Sequence, residues 1–372
     1  MKLLIEKPGM FTTVQDLGRH GRQTQGVPVA GAMDAAALRV GNILVGNDGS
    51  PSARELAGLE ITVAGPAIRV LEGEGCFVVT GAEVGVTKNG VSLPCWTVHR
   101  LAAGDAVAFF PPNFSPNFSP QFSPQGGSRA YFCVSGGIDV PLVMGSRSTY
   151  TRGKFGGHQG RSLRTGDVLA AGAPHVLWAE CEGLECPPRL RPSRDPSAPL
   201  RAIPGPQDDL FTEEGLATFY SSEYVIANSA DRMGYRLEGP AIAHRNGADI
   251  VSDAVSLGSV QVPGDGRPIV MLADRQTTGG YTKIATVCAV DVGNLAQRLP
   301  GQGVRFEKIT VAEAVALLRH EEELFGQVRR LRAAWRSRPE VYAVCGAAVP
   351  QAGIFSVCVD GEPHRVEWER LE

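Results

Sequence analysis

Apolar residues between about residues 61 and 172 fall into short runs that turn-forming residues interrupt. Residues 76–110, CFVVTGAEVGVTKNGVSLPCWTVHRLAAGDAVAFF, hold the dipeptide Asn89-Gly90 between two β-prone runs. Asn-Gly is the strongest short hairpin signal, because both residues tolerate the positive φ angles of a type I′ turn. The segments 101–107 and 163–169 each place a Gly-Asp turn before an apolar strand. We therefore predict that residues 1–182 form one β module.

The periodic pattern is lost in residues 183–199, GLECPPRLRPSRDPSAP, where Pro and Arg accumulate, and we predict a linker there. A second block of short apolar runs follows and predicts another β module over residues 200–300. The same four residues, GPAI, follow a strand-like run in residues 60–68 and again in residues 234–242. This echo favours two related β modules over one large barrel.

In residues 311–336 the apolar period changes from strand-like to helical spacing. The recurring apolar residues are Val311, Val315, Leu318, Phe325, Val328, Leu331 and Trp335. We expect this helix to pack against its own domain, the alternative being a docking element for a partner. The final residues predict a β-hairpin around Asp360-Gly361. Residues 301–372 are thus predicted to form an appendage of helix plus hairpin.

Composition agrees with a strand-rich fold and limits the partners. The chain has 45 Gly and 26 Pro in 372 residues, above the usual proportions of about 7% and about 5%. A formal net charge of −3 gives no electrostatic reason to expect nucleic acid or an anionic membrane surface. No apolar run approaches the roughly 18 residues of a spanning helix, and no signal-peptide pattern is present. We expect no membrane contact and a cytoplasmic location.

A tetrapeptide repeat, PNFSPNFSPQFSPQGG, occupies residues 112–127. Proline at every fourth position excludes a helix interior and a central strand. We interpret the segment as a slippage insertion that lengthens a hairpin loop at small entropic cost. A lid or partner-binding loop is the alternative.

Several familiar catalytic motifs are missing from the sequence. There is no GxxxxGK[ST] phosphate loop, no HExxH, no GxSxG and no Rossmann glycine fingerprint after a strand. The eight cysteines are scattered without a CxxC pair. We predict no metal site built by this chain and no catalytic thiol.

What the sequence does contain is four Gly-rich, β-flanked stretches with charged side chains. They are residues 13–34, 144–161, 229–240 and 272–285. Glycine lets backbone N–H groups approach a small anion, and arginine supplies a forked donor that matches a carboxylate or phosphate. Each stretch taken alone has a structural alternative: Asp16 and Arg19 simply pair with each other, or the loops are solvated. Gln276 beside Arg275 favours recognition of an amide and a carboxylate.

The four stretches together resemble the biotin-dependent carboxyltransferase family, also called allophanate hydrolase subunit 2. The residues that carry the resemblance are TTVQDLGRHGRQTQGVPVAGAMD, SGGIDVPLVMGSRSTYTRGKFGGHQGRSLRTGD, SADRMGYRLEGP and GSVQVPGDGRPIVMLADRQTTGGYTKIA. The likeness runs from about residue 3 to 310, and the FSP repeat and the tail after about residue 338 depart from it. It implies a mainly β fold of two cyclophilin-like β-barrel modules, here with a C-terminal helix and hairpin.

The resemblance also implies partners and chemistry. The best understood family member belongs to a bacterial ATP-dependent 5-oxoprolinase, in which it works with two other proteins, a related cyclophilin-like B subunit and the A subunit, to open 5-oxoproline to glutamate. We therefore expect an enzyme subunit that binds a small anionic substrate and shares ATP with a partner subunit. Mg²⁺ is compatible with this expectation, and no biotin is expected on this chain. Carboxyl transfer to urea or a related amide, and a regulatory protein that antagonises a kinase inhibitor, are the alternatives.

Such a site must hold a substrate carboxylate, neutralise phosphoryl charge and move protons. The candidate catalytic residues are His158, Asp16 and Asp274. The candidate substrate-binding residues are Arg19, Asp34, Arg147, Asp231, Arg232, Tyr235, Arg275, Gln276 and Tyr281. We expect residues 13–34 to form one wall of the pocket, and at least two of Arg19, His158 and Arg275 to converge on one cleft.

Overall fold

The computed structural model describes residues 1–49, 56–110 and 127–336, together with the backbone of two strands at 352–359 and 362–369. The predicted insertion at 112–127 therefore lies outside the described residues except for Gly127. Of the helices in the described ranges, none combines the length and apolar character that a membrane crossing requires.

The first half of the chain folds into two antiparallel sheets. Its strands are β1 (Lys2–Lys7), β2 (Phe11–Gln15), β3 (Gly58–Thr62), β4 (Ala67–Glu72), β5 (Glu74–Gly81), β6 (Gly85–Lys88), β7 (Val91–Leu93), β8 (His99–Ala102), β9 (Ala106–Phe110), β10 (Arg129–Val134), β11 (Ile138–Asp139) and β12 (Val168–Ala171). One sheet has the order β11-β12-β1-β4-β9-β6-β7, and the other β2-β3-β10-β5-β8. The predicted Asn89-Gly90 hairpin is confirmed: Lys88 pairs with Val91, and the turn residues have φ of 53° and 82°.

Helix α1 (Ala35–Leu44) packs on β5 and β10, which are buried along most of their length. The helix approaches the sheet closely because Gly41 has no side chain there. A Cβ at this position would lie 2.6 Å from Cys133 Sγ on β10. The start of α1 is thereby fixed against the sheet, and the first candidate stretch ends at this start.

The second half forms a nine-stranded sheet with three further helices. The strands are β13 (Leu200–Pro204), β14 (Tyr224–Ile226), β15 (Gly234–Glu238), β16 (Asp249–Ala254), β17 (Ser259–Val262), β18 (Ile269–Met271), β19 (Thr278–Val287), β20 (Gly303–Val304) and β21 (Phe306–Lys308). The sheet order is β20-β14-β15-β18-β17-β19-β13-β21, with β16 paired to β19. The helices are α2 (Glu213–Ser221), α3 (Ala289–Gln297) and α4 (Val311–Arg336).

Two hydrophobic clusters follow this division. One is built on β1 to β12 and includes Leu184 and Leu190, and the other is built on β13 to β21. Met33, at the end of the first candidate stretch, is 2% exposed and belongs to the second cluster. The first stretch therefore reaches into the core of the other half. The boundaries 1–182, 183–199, 200–300 and 301–372 stay a proposal.

Helix α4 has the predicted bounds, but only part of its apolar face packs. Phe325 and Val328 are buried in the first cluster, and Arg39 of α1 lies 4.0 Å over the Phe325 ring. The first turns of the helix leave their apolar side chains exposed. Val311, Val315 and Leu318 are 62%, 38% and 43% exposed. The helix rests mainly on α1 rather than on the sheet that precedes it in the chain.

The C-terminal hairpin is confirmed in its strands, β22 (Ala352–Val359) and β23 (Glu362–Glu369), which pair antiparallel. Its predicted turn at Asp360-Gly361 lies outside the described residues. The prediction of a mainly β fold with two β modules, a C-terminal helix and a hairpin is confirmed.

Candidate functional site

Asp16 fixes the second candidate stretch against the first. Its carboxylate accepts hydrogen bonds from the backbone N–H of Gly18 at 2.8 Å, from Ser146 Oγ at 2.7 Å and from the N–H of Arg147 at 2.5 Å. The hydroxyl of Ser148 donates to it as well. Asp16 is 1% exposed, so this carboxylate is fully engaged within the protein. In the described structure it forms no ion pair with Arg19, and the simple pairing considered from the sequence is not what is found.

Arg19 donates hydrogen bonds to the same loop from the other side. Its guanidinium donates to the carbonyls of Val143 at 2.8 Å and Ser148 at 2.9 Å, and it lies 4.9 Å from the Phe155 ring centre. Burial lowers the pKa of Arg19, while the carboxylates of Asp16 and Asp274 act in the opposite direction. The first, second and fourth stretches are thus close enough to interact electrostatically.

A buried charge network joins the two halves at Arg232. Its guanidinium donates to both carboxylate oxygens of Asp274, at 3.0 and 2.9 Å, and to the carbonyl of Gly31 at 2.7 Å. It also forms an ion pair with Glu60 on β3. Burial acts to lower the pKa of Arg232, but Asp274 and Glu60 outweigh it and raise the pKa.

Glu60 extends this network and was missed by the sequence analysis. Its carboxylate accepts from Tyr131 Oη at 2.8 Å and from the Met33 N–H at 2.7 Å. Arg129 lies 3.6 Å away, and its guanidinium also contacts the hydroxyl of Tyr235 at 3.5 Å. The only sequence signal is a lone acid inside the apolar strand GLEIT. Every charge in this cluster has a partner, as a buried charge requires.

Asp34 forms a second junction between the halves. It caps α1 by accepting from the Ala37 N–H at 3.1 Å, binds Arg194 at 2.9 and 2.6 Å, and accepts from Gln297 Nε2 at 2.9 Å. Burial acts to raise the pKa of Asp34, but Arg194 outweighs it and lowers the pKa. Gly293 on α3 makes room for the pair, since a Cβ there would lie 2.7 Å from the Arg194 guanidinium.

Arg275 lines a cavity of about 270 Å³ between the two halves. The first stretch forms one wall of this cavity, through Leu17, His20, Gln23 and residues 29–34 apart from Gly31. Arg275 is 8% exposed and donates to the carbonyls of Val255 at 3.1 Å and Leu272 at 3.2 Å. Burial lowers its pKa to about 10. It remains a cation, and among the described residues it has no ion-pair partner.

The rest of the cavity wall contains paired and unpaired groups. Arg39 and Arg194 also line it, but they are held by Glu322 and Asp34. Glu321 on α4 also lines it, without a hydrogen bond or ion pair in the described part of the chain. Burial raises the pKa of Glu321.

Helix α3 begins at the same cavity. Ala289 and Val290 line it, and the preceding Cys288 supplies no side-chain cap. The first N–H groups of a helix and its dipole favour a negative charge. Arg275 and the start of α3 together therefore suit an anion.

Other predicted residues lie elsewhere. His158 contacts Asp167 at 3.3 Å and does not line the cavity; hydrogen bonds from Arg161 and the neighbouring charges lower the pKa of Asp167 to about 2. Arg147 pairs with Asp139 at 3.1 Å. Asp231 is exposed and pairs with Arg152 at 2.9 Å, which links the second and third stretches at the surface.

The remaining two predicted site residues, Gln276 and Tyr281, lie along the fourth stretch. Gln276 Nε2 donates to Gln261 Oε1 at 3.2 Å. Tyr281 is 42% exposed on β19, where it pairs with Asp249 of β16. The structure thus brings Arg275 together with the wall formed by the first stretch, while the side chains of Arg19 and His158 are engaged outside the cavity.

Comparison with solved structures defines the class. The fold matches the Kluyveromyces lactis urea amidolyase with a TM-score of 0.78 and 28% identity, over 88% of this chain and 20% of that one. The urea carboxylase of the same organism matches equally well, over 29% of its length. The two β modules around an arginine-lined cleft are thus of the carboxyltransferase type. This chain corresponds to about a fifth of the first of these proteins.

The chain belongs to the carboxyltransferase family, described as "Carboxyltransferase domain, subdomain A and B", which matches residues 25–308. It is 36% identical to the C subunit of 5-oxoprolinase from Escherichia coli over 91% of this chain and 99% of that protein. The C subunit of the Haemophilus influenzae 5-oxoprolinase is 33% identical, over 86% and 95%. The urea amidolyase of Saccharomyces cerevisiae is 30% identical, over 84% of this chain and 17% of that protein.

Proposed function

We propose that this chain is the C subunit of an ATP-dependent 5-oxoprolinase, which opens 5-oxoproline to glutamate together with the B and A subunits. Two relatives bear the name of this subunit, and the likeness spans nearly their whole length. The observation in the structure that carries the proposal is the unpaired, buried cation of Arg275 in the cavity between the two halves.

The Arg275 guanidinium suits the substrate carboxylate. Its planar fork matches two carboxylate oxygens, and it is already desolvated before the substrate arrives. The start of α3 adds a favourable field for the same charge. A carboxylate bound here would give Arg275 the ion-pair partner that it lacks among the described residues.

Opening the lactam also requires an activated carbonyl and a proton carrier. Phosphorylating the carbonyl oxygen turns the resonance-stabilised amide into a good electrophile. Glu321 suits the proton transfer, because burial raises its pKa towards the working range of an acid–base catalyst. Asp16 and Asp274 are fully hydrogen-bonded, so we propose that they position the loops. The catalytic roles predicted for Asp16, Asp274 and His158 stay predictions.

ATP and Mg²⁺ are assigned to the assembled enzyme rather than to this chain alone. In the described ranges, no three His, Cys, Asp or Glu side chains are grouped closely enough to hold a metal ion. A Mg²⁺ ion held by the described residues would therefore need further ligands from a nucleotide or a partner protein. We propose that one of the partner proteins supplies most contacts to the nucleotide.

Carboxyl transfer to urea or a related amide is the second candidate. The urea amidolyase likeness in sequence and fold favours it. Activity assays with 5-oxoproline and with urea, each in the presence of the matching partners, distinguish the two. The regulatory alternative stays a prediction.

The test is reconstitution with the B and A subunits. The isolated chain with ATP should not open 5-oxoproline, and the assembled enzyme should. Arg275→Lys should impair the assembled enzyme almost as much as Arg275→Ala, because an ammonium cannot bind a carboxylate with two parallel hydrogen bonds. Arg236→Ala, at an exposed position on β15, is the control and should be silent. Full activity of both Arg275 variants, or strong activity of the chain alone, would contradict the proposal.

A further inference from the structure

Two side-chain amides, one partly buried on the fourth stretch and one buried on β17, are left half-satisfied. Gln276 Nε2 donates to Gln261 Oε1 at 3.2 Å, and Gln261 is 2% exposed. The other two amide atoms, Gln261 Nε2 and Gln276 Oε1, are buried without a hydrogen-bond partner. A buried amide group without a partner is destabilising, so native proteins rarely keep one without a reason.

The surrounding backbone packs closely on this amide pair. Gly279 on β19 packs against it, and a Cβ there would lie 2.6 Å from Gln261 Nε2 and 3.3 Å from Gln276 Nε2. Any larger residue at 279 would push into the two amides. Gln276 itself is only partly buried, so it can rotate to admit a ligand, whereas Gln261 is fixed in the sheet.

The unpaired atoms define a chemical pattern: one N–H donor and one C=O acceptor on either side of a single amide–amide hydrogen bond. A cis amide presents the complementary pattern, because its own N–H and C=O lie on the same edge. Lactams and ureas have this edge, while an ordinary trans amide does not. We propose that the Gln261–Gln276 pair recognises the cis amide edge of the substrate.

The amide pair lies outside the lining of the Arg275 cavity, but Val255 lies next to both. Arg275 Nε donates to the Val255 carbonyl at 3.1 Å, and the Val255 side chain lies 3.2 Å from the Cβ position of Gly279. Val255 therefore contacts both the anion site and the backbone beside the amide pair. A molecule with a carboxylate next to a lactam suits both. The identification of that lactam as 5-oxoproline rests on the function proposed above.

Three probe ligands distinguish the carboxylate contact at Arg275 from the lactam contact at the Gln261–Gln276 pair. 5-Oxoproline carries both groups, 2-pyrrolidinone only the lactam, and proline only the carboxylate with a ring amine. Titration calorimetry on the full chain, alone and assembled with the B and A subunits, gives the affinities. Gln276→Met should weaken 5-oxoproline and 2-pyrrolidinone by about tenfold, the upper range for loss of a hydrogen-bonded amide contact, and leave proline unchanged. Arg275→Gln should weaken the binding of 5-oxoproline and proline and leave the binding of 2-pyrrolidinone unchanged.

Gln327→Met, at an exposed position on α4, is the matched control and should bind all probes normally. Thermal unfolding of each variant verifies the fold, and Gln276 is preferred to Gln261 because it is less buried. Unchanged affinity of a folded Gln276→Met for both lactams would overturn the inference and leave a water as the occupant. So would absence of lactam binding by the wild-type chain in both forms.

Failure of this inference is distinguishable from failure of the proposed function. If the assembled enzyme opens 5-oxoproline and Gln276→Met keeps the wild-type KM, the amide assignment is wrong and the function stands. If the chain binds 2-pyrrolidinone or urea in a Gln276-dependent way but the assembly does not open 5-oxoproline, the amide site stands and the function is wrong.

Discussion

The triplet Ala-Asp-Arg occurs twice in the candidate stretches, at 230–232 and at 273–275, and the two copies do different things. Both arginines are equally buried, with Arg232 at 7% and Arg275 at 8% exposure. Arg232 binds two carboxylates, one of them Asp274 from the other triplet. Arg275 binds only backbone carbonyls.

This difference separates structural charge from functional charge. A buried cation that is fully paired holds the two halves together, and its removal leaves carboxylates without a partner. A buried cation that lacks a charged partner is destabilised by desolvation, and a bound anionic ligand can offset that desolvation free energy. Burial and sequence context do not distinguish the two, but the partners do.

The largest expected effect is on stability. Arg232→Met should lower the free energy of unfolding by about 3–5 kcal/mol, because Glu60 and Asp274 would stay buried without their cation. Arg275→Met should be neutral or stabilising, since no carboxylate depends on it. Urea denaturation of both variants measures this, with the exposed Arg305 as the control position. Equal destabilisation by the two substitutions would remove the distinction.

The second prediction concerns acid. The pKa of Asp34 is lowered in the fold, so its stabilising contribution is complete above its unfolded pKa of about 4 and is lost as pH falls through the lower folded value. Asp34→Asn should therefore reduce the melting temperature most at neutral pH and least at low pH. Melting curves between pH 7 and pH 3 measure the slope. A constant difference across that range would contradict the linkage.

The strands, α4 and the hairpins are predictable from the sequence because their signals are local. Asn89-Gly90 sets its own turn, and the 3.6-residue period sets α4. Residues 13–34 line the cavity as predicted, and the anionic substrate of that cavity stays a prediction. The pairing of Arg232 with Asp274, and of Asp34 with Arg194, joins residues far apart in the chain. No local pattern encodes these pairs, so Arg19 and Arg275 looked alike although only Arg275 lines the cavity.

The smallest effect is expected at Glu321. Burial raises its pKa, so its charged form is disfavoured in the fold, and stability is lost as pH rises through the folded pKa. Glu321→Gln should raise the melting temperature slightly at pH 8 and leave it unchanged at pH 4, while it lowers turnover of the assembled enzyme. Glu323→Gln, at an exposed position on α4, is the control. The same melting shift at both pH values would rule out a titration effect.

The central claim is that Arg275, which lines the cavity without a carboxylate partner among the described residues, receives the substrate carboxylate. A crystal structure of the assembled enzyme with 5-oxoproline tests this most directly. We predict both carboxylate oxygens within hydrogen-bond distance of the Arg275 guanidinium, in the cavity bounded by residues 13–34 and the start of α3. A carboxylate bound elsewhere, with Arg275 still held only by Val255 and Leu272, would contradict it.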